Sequence, residues 1–82
     1  MISAKICGLS DAPAVDAAVE GGAAFVGFVF FPPSPRNILP ERAAGLMHRV
    51  PSQIVKVGLF VDPDDDFLNA ALHHAPLDVI QL

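Results

Sequence analysis

Apolar and polar positions alternate at the start of this chain and then settle into a repeating order. Ile2, Ala4 and Ile6 alternate with Ser3, Lys5 and Cys7, and a period of two is the mark of a strand with two different faces. The apolar set faces a packed layer and the polar or reactive set faces the other way. Gly8 breaks the strand, and Ser10 and Asp11 are residues that start helices. From about Asp11 to Glu20, Ala14, Val15, Ala18 and Val19 form one apolar stripe at helical spacing. Gly21 and Gly22 stop that helix.

Phe25–Phe30 is a nearly continuous apolar run. Such a run predicts a strand covered on both faces, as in a parallel sheet. Phe31-Pro32-Pro33-Ser34-Pro35-Arg36-Asn37 cannot be helix or ladder, because its prolines lack backbone donors. Pro40 suits the first turn of a second helix, whose buried face is Ala43, Leu46, Met47 and Val50, with Pro51 and Ser52 at its end. A third strand runs over about Ile54–Val61. Asp62 reads as the cap of a third helix whose inward residues are Phe67, Leu68, Ala71 and Leu72. Leu77–Leu82 is a fourth strand.

Strand and helix thus alternate as β-α-β-α-β-α-β with short links, which implies parallel strands joined by right-handed crossovers. No linker or second domain interrupts the 82 residues. That length makes a core possible but marginal, and the 17% of charged residues is thin cover for so small a body. The fourth strand has no helix after it. An uncapped apolar strand exposes an edge that recruits other chains, so the expectation is a fragment of a longer protein.

The formal net charge of -4 argues against a nucleic-acid footprint, which needs a basic stripe. No apolar run approaches the ~20 residues of a membrane span, and the opening residues lack the regions of a signal peptide. A single cysteine forms no internal disulfide, so a reducing cytoplasm is the simplest setting.

Candidate chemistry gathers at the carboxyl ends of the expected strands, where parallel α/β folds place their sites. Cys7 stands at the end of the first strand. A free cysteine is as often a small buried hydrophobe as a reactive group, but Lys5 lies two residues earlier on the same face, and a nearby ammonium favours the thiolate. A thiolate serves as nucleophile or general base. Arg36 sits in the proline-braced loop on the same rim, where a guanidinium can clamp a carboxylate or phosphate. Gln81 ends the fourth strand and faces that rim. Asp62, Asp64, Asp65 and Asp66 do not match a calcium loop and suit a helix start. Adjacent His73 and His74 point to different sides of a helix and make a poor metal pair. Gly27 and Gly58 interrupt strands, either to open space for a ligand or to allow close packing.

Lys5-Ile6-Cys7-Gly8-Leu9, Ala24–Phe30 and Phe31-Pro32-Pro33-Ser34-Pro35-Arg36 together resemble the phosphoribosylanthranilate isomerases of tryptophan biosynthesis. Lys56–Val61 and Leu77–Leu82 fit the same family in the same order, so the resemblance covers the whole chain. It implies an eight-stranded (β/α)8 barrel, a TIM barrel, of which residues 1–82 are the amino-terminal half. It implies an Amadori rearrangement without metal or organic cofactor, driven by one general acid and one general base. Cys7 matches the family's base and Arg36 a substrate-binding arginine near the anthranilate carboxylate. Lys5 and Gln81 match positions lining the pocket. The family's general acid and phosphate site belong to later strands, so the chain alone is expected to be inactive.

Two non-catalytic alternatives stand beside this reading. A βα-repeat with Asp62 after its third strand is similar to a receiver-type signalling domain, although such a domain wants an acidic pair where this chain has Lys5 and Cys7. Alternatively, two copies could associate through the open edges of strands one and four as a homo-oligomer.

Overall fold

The computed structural model describes residues 5–82. The elements are β1 (Lys5–Ile6), α1 (Ala12–Glu20), β2 (Phe25–Phe30), α2 (Pro40–Met47), β3 (Val55–Phe60), α3 (Asp65–His74) and β4 (Val79–Gln81). They form one parallel sheet in the order β1-β2-β3-β4. Ser3 and Ala4, expected in the first strand, lie outside the described residues.

The layer beneath the helices is aromatic. Val26, Phe28 and Phe30 of β2 and Phe60 of β3 are almost wholly buried and pack with Val15 and Ala18 of α1, Ala43, Leu46 and Met47 of α2, and Ala71 of α3. The Phe30 and Phe60 rings stack with centroids 5.2 Å apart, and Phe67 meets Phe60 edge-on at 6.0 Å. Each buried aromatic contributes about 1.5–3 kcal/mol by area, and each aromatic pair about 0.5–1.5 kcal/mol more.

The opposite face of the sheet is concave. Neighbouring strands lie ~4.8 Å apart, so a flat sheet would separate β1 from β4 by roughly 14 Å, with their side chains standing parallel. Lys5 Nζ nevertheless donates a hydrogen bond to Gln81 Oε1. The sheet must therefore curl towards this face, as an arc of a barrel does. Lys5, Phe25, Val57, Val79 and Gln81 line an open cavity of about 280 Å³ there.

Three expectations from the sequence need correction. Asp64, not Asp62, caps α3: its Oδ1 accepts from the Phe67 N–H at 2.7 Å. Asp62 instead takes the left-handed conformation (φ 43°) that turns the chain sharply after β3. A cap must lie three residues before the N–H it serves, and Asp62 is too early. Second, α2 ends at Met47, and Arg49 and Val50 donate to Leu46 and Met47 through tighter i→i−3 bonds. Val50 is still buried, but from a turn. Third, Leu72 is 41% exposed, because the α3 surface it occupies is not packed against another described element.

The short strand β4 is fastened at its start. The Asp78 N–H donates to the Lys56 carbonyl at 2.8 Å, its Oδ2 accepts from the Lys56 N–H at 2.9 Å, and the Lys56 ammonium lies 3.3 Å from the same oxygen. The Lys56 backbone N–H, then its side chain, hold the Asp78 carboxyl below the ordinary carboxylate range. A carboxyl with a depressed folded value stabilises the fold above its unfolded value of about 3.9 and loses that contribution as pH falls through the lower folded value. Asp78→Asn is therefore expected to flatten the loss of stability below about pH 4 in urea titrations at stepped pH.

Gly58 answers one of the open questions about strand glycines. A Cβ there would come within 2.5 Å of Leu77 Cδ1 and 3.1 Å of Phe60 Cε2, so this glycine serves packing on the helix side. Gly58→Ala is expected to destabilise by about 1–3 kcal/mol. Gly45→Ala, in α2 with open space around it, is expected to stabilise by about 0.5–1 kcal/mol. Denaturant unfolding of both variants checks the opposite signs.

Candidate active site

Cys7 lies immediately after the last paired residue of β1 and is exposed. Ile6 is opposite Val26, and the next contact with β2 is the Leu9 N–H donating to the Gly27 carbonyl at 3.2 Å. The first strand advances from residue 6 to 9 while the second advances from 26 to 27. Cys7 and Gly8 therefore form a short arch, closed by Leu9, which is buried in the core. Gly8 takes φ 77°, a left-handed conformation that glycine adopts without steric cost.

The arch hangs over Gly27. A Cβ on Gly27 would lie 3.0 Å from Cys7 Sγ and 3.3 Å from Cys7 Cα. Val26 and Phe28 point to the helix side, so Gly27 belongs to the inner face by strand alternation. The thiol therefore stands at the upper end of the concave face, above the level of Lys5.

Arg36 reaches the same place from β2. Its loop is tied down twice: the Arg36 N–H donates to Ser34 Oγ at 3.1 Å, and the Ile38 N–H donates to the Val29 carbonyl at 3.0 Å. Ile38 is itself buried. The side chain lies along the Gly8 backbone, so that a Cβ on Gly8 would be 2.7 Å from Arg36 Cδ and 3.0 Å from Nη1. The guanidinium thus lies against the residue that follows Cys7 in the chain.

All four candidate residues fall on the inner face or its carboxyl rim. Arg36 lies against Gly8, next to Cys7 in the chain, while Lys5 and Gln81 meet lower across the arc. The Lys5 bond engages the Gln81 oxygen, and among the described residues the amide N–H₂ donates to no side chain. The aspartates belong elsewhere. Asp62 and Asp64 border a separate apolar recess of about 250 Å³ with Phe30, Phe31, Pro32 and Phe67, which contains neither Cys7 nor Arg36. Among the described residues, no three His, Cys, Asp or Glu side chains gather as a metal site, and no helix is long and apolar enough to cross a membrane.

Gly8 had no assigned function beyond ending a strand. The signal for it was local: a glycine directly after the reactive residue, in a segment that must turn. Ser34 was also missed, because its hydroxyl acts only on the backbone of the loop that carries Arg36.

Parallel strands on an arc, helices outside, and polar groups collected at the carboxyl rim define the first half of a (β/α)8 barrel of the enzyme type. Residues 4–82 match the family model for N-(5'-phosphoribosyl)anthranilate isomerase, and the chain belongs to that family. It is 59% identical over 81 residues to the N-(5'-phosphoribosyl)anthranilate isomerase of Paracoccus denitrificans, and 54% identical over 81 residues to that of Paramagnetospirillum magneticum. Each alignment takes in 99% of this chain and 38% of the relative. The crystal structure of the Thermotoga maritima enzyme superposes with a TM-score of 0.92 at 35% identity, over 100% of this chain and 40% of that one. A phosphoribosylanthranilate isomerase in complex with reduced 1-(o-carboxyphenylamino)-1-deoxyribulose 5-phosphate matches equally well, with a TM-score of 0.92. The chain therefore spans about two fifths of the length of these relatives, and the family sets the receiver-type alternative aside.

The geometry predicts that Cys7 is alkylated by iodoacetamide in the folded protein, without denaturant. Peptide mass spectrometry after brief labelling checks this, and labelling that requires denaturant would contradict the exposed arch.

Proposed function

We propose that this chain supplies the general base and the carboxylate clamp of a phosphoribosylanthranilate isomerase, within a single barrel domain. The observation that carries the proposal is that Arg36 packs on Gly8, the residue directly after Cys7, at the carboxyl end of β1. The substrate joins a sugar phosphate to an aromatic acid, so its recognition calls for a cation at the carboxylate and proton transfer at the adjoining sugar carbons. Arg36 provides a planar fork for the carboxylate. Cys7, as thiolate, takes the proton.

The rearrangement needs no change in atom count. A general acid protonates the ribose ring oxygen as the C1–O bond breaks, which leaves a protonated imine (an iminium) between the anthranilate nitrogen and C1. Cys7 then removes the proton from C2, the carbon next to the imine. The electron pair moves into C1–C2 and neutralises the iminium nitrogen, giving an enolamine. Tautomerisation delivers the aminoketose, 1-(2-carboxyphenylamino)-1-deoxyribulose 5-phosphate. General base catalysis of this kind contributes about 10²–10⁴-fold.

The Lys5 ammonium and the Gln81 amide are hydrogen-bonded to each other on the same concave face. Both line the substrate pocket in this reading. The acid and the phosphate cradle come from later strands of the barrel, the phosphate from the loops after strands seven and eight. The pairing of a phosphosugar-like ligand with a relative of 35% identity supports the substrate class.

In a protein of the relatives' full length carrying this chain, Cys7→Ala is expected to lower kcat by about 10²–10⁴ with an unchanged circular dichroism spectrum. Arg36→Ala is expected to act chiefly on KM. The 82-residue chain by itself is expected to give no turnover. Undiminished kcat in the Cys7 variant would remove the thiol from the mechanism.

A further inference from the structure

We propose that Gly8 and Gly27 are positioning residues: each is a bare stretch of backbone on which one of the two reactive side chains rests. The inference deepens the isomerase reading and depends on it. Gly8 carries Arg36, since the three nearest atoms to a Cβ built there all belong to that side chain, at 2.7, 3.0 and 3.5 Å. Gly27 carries Cys7, since the three nearest atoms there all belong to the cysteine, at 3.0, 3.3 and 3.5 Å. A methyl group on Gly8 would press first on the Arg36 side chain, and one on Gly27 first on the Cys7 sulfur and then its Cα.

Two separate requirements meet at Gly8, and they can be separated. Its φ of 77° penalises any side chain, and the space above it is filled by Arg36. Gly22 has almost the same dihedral, φ 78°, but nothing lies within 4 Å of its would-be Cβ. Gly22→Ala therefore carries the backbone penalty alone, whereas Gly8→Ala carries it together with displacement of the guanidinium. Gly27 has no positive φ, so Gly27→Ala tests displacement of the thiol with no such penalty.

Displacement matters because the reacting groups must meet the substrate in a narrow geometry. A shift of about 1 Å can cost up to about a hundredfold in rate. For Arg36, which binds, the loss falls on KM. For Cys7, which moves a proton, it falls on kcat.

The test uses a protein of the relatives' full length carrying this chain, with steady-state kinetics, thermal unfolding and iodoacetamide labelling of each variant. Gly8→Ala is expected to raise KM about tenfold or more, while Gly22→Ala leaves it within about twofold. Both should lower Tm by a similar amount. In an Arg36→Ala background, adding Gly8→Ala should change KM no further, because the residue it moves is gone. Gly27→Ala should lower kcat about tenfold or more at nearly constant KM, and change the rate of Cys7 alkylation about threefold or more.

Equal KM values for Gly8→Ala and Gly22→Ala would overturn the proposal, as would additive losses in the Arg36→Ala background or unaltered alkylation in Gly27→Ala. If Gly8→Ala does not fold, because a φ of 77° strains any side chain, the kinetics and alkylation of Gly27→Ala decide the proposal by the outcomes above. An unsubstituted protein without isomerase activity would instead refute the function proposed above, and the alkylation rates would still decide whether Gly27 seats the thiol.

Discussion

The ladder between β2 and β3 is the constraint on which the rest of the molecule depends. Phe25–Phe30 pairs residue for residue with Val55–Phe60, and the aromatic side chains of these strands fill the space beneath the helices. β1 and β4 add only short stretches to either side. Because the side chains of a strand alternate between faces, committing Val26, Phe28 and Phe30 to the helices commits Phe25, Gly27 and Val29 to the concave side. The same alternation on β1 and β4 sends Lys5 and Gln81 to that side. The hydrophobic core thus decides where the reactive groups face without touching them.

What was legible in the sequence follows from how much each signal depended on neighbours. β2 was read at its observed bounds because burial on both faces leaves an unbroken apolar run. The α1 cap was legible because Asp11 stands three residues before the N–H it serves, on Ala14. The α3 cap was misplaced because four aspartates crowd one turn, and composition alone does not say which has the right spacing. The end of α2 was overrun because Val50 keeps its burial in a turn, which hydropathy cannot distinguish from helix. Gly27 and Gly58 looked alike in sequence, and only the partner across the gap, Cys7 for one and Leu77 for the other, separates their purposes.

The candidate site was legible in its members but not in its construction. Cys7 and Arg36 were singled out from residue type and position at strand ends, and their resemblance to a family supplied the roles. The packing of Arg36 on Gly8 could not be read, since it depends on a loop closed by Ser34 and Ile38 from another βα unit. The surface ion pair Asp16–Arg49, by contrast, has good bidentate geometry at 3.0 and 2.9 Å and no bearing on the site. Both partners are about half exposed, where solvent screening leaves such pairs little net effect on stability. It ties α1 to the turn after α2.

The sulfur sits on a span that belongs to no ladder. Ile6 below it and Leu9 beyond it keep the strand in register and the core closed, so the sulfur itself takes no part in pairing the strands. A scaffold arranged this way can exchange its reactive atom for another, oxygen or nitrogen in place of sulfur, and keep its shape. Chemistry at this rim is free to diverge while the barrel beneath it stays the same.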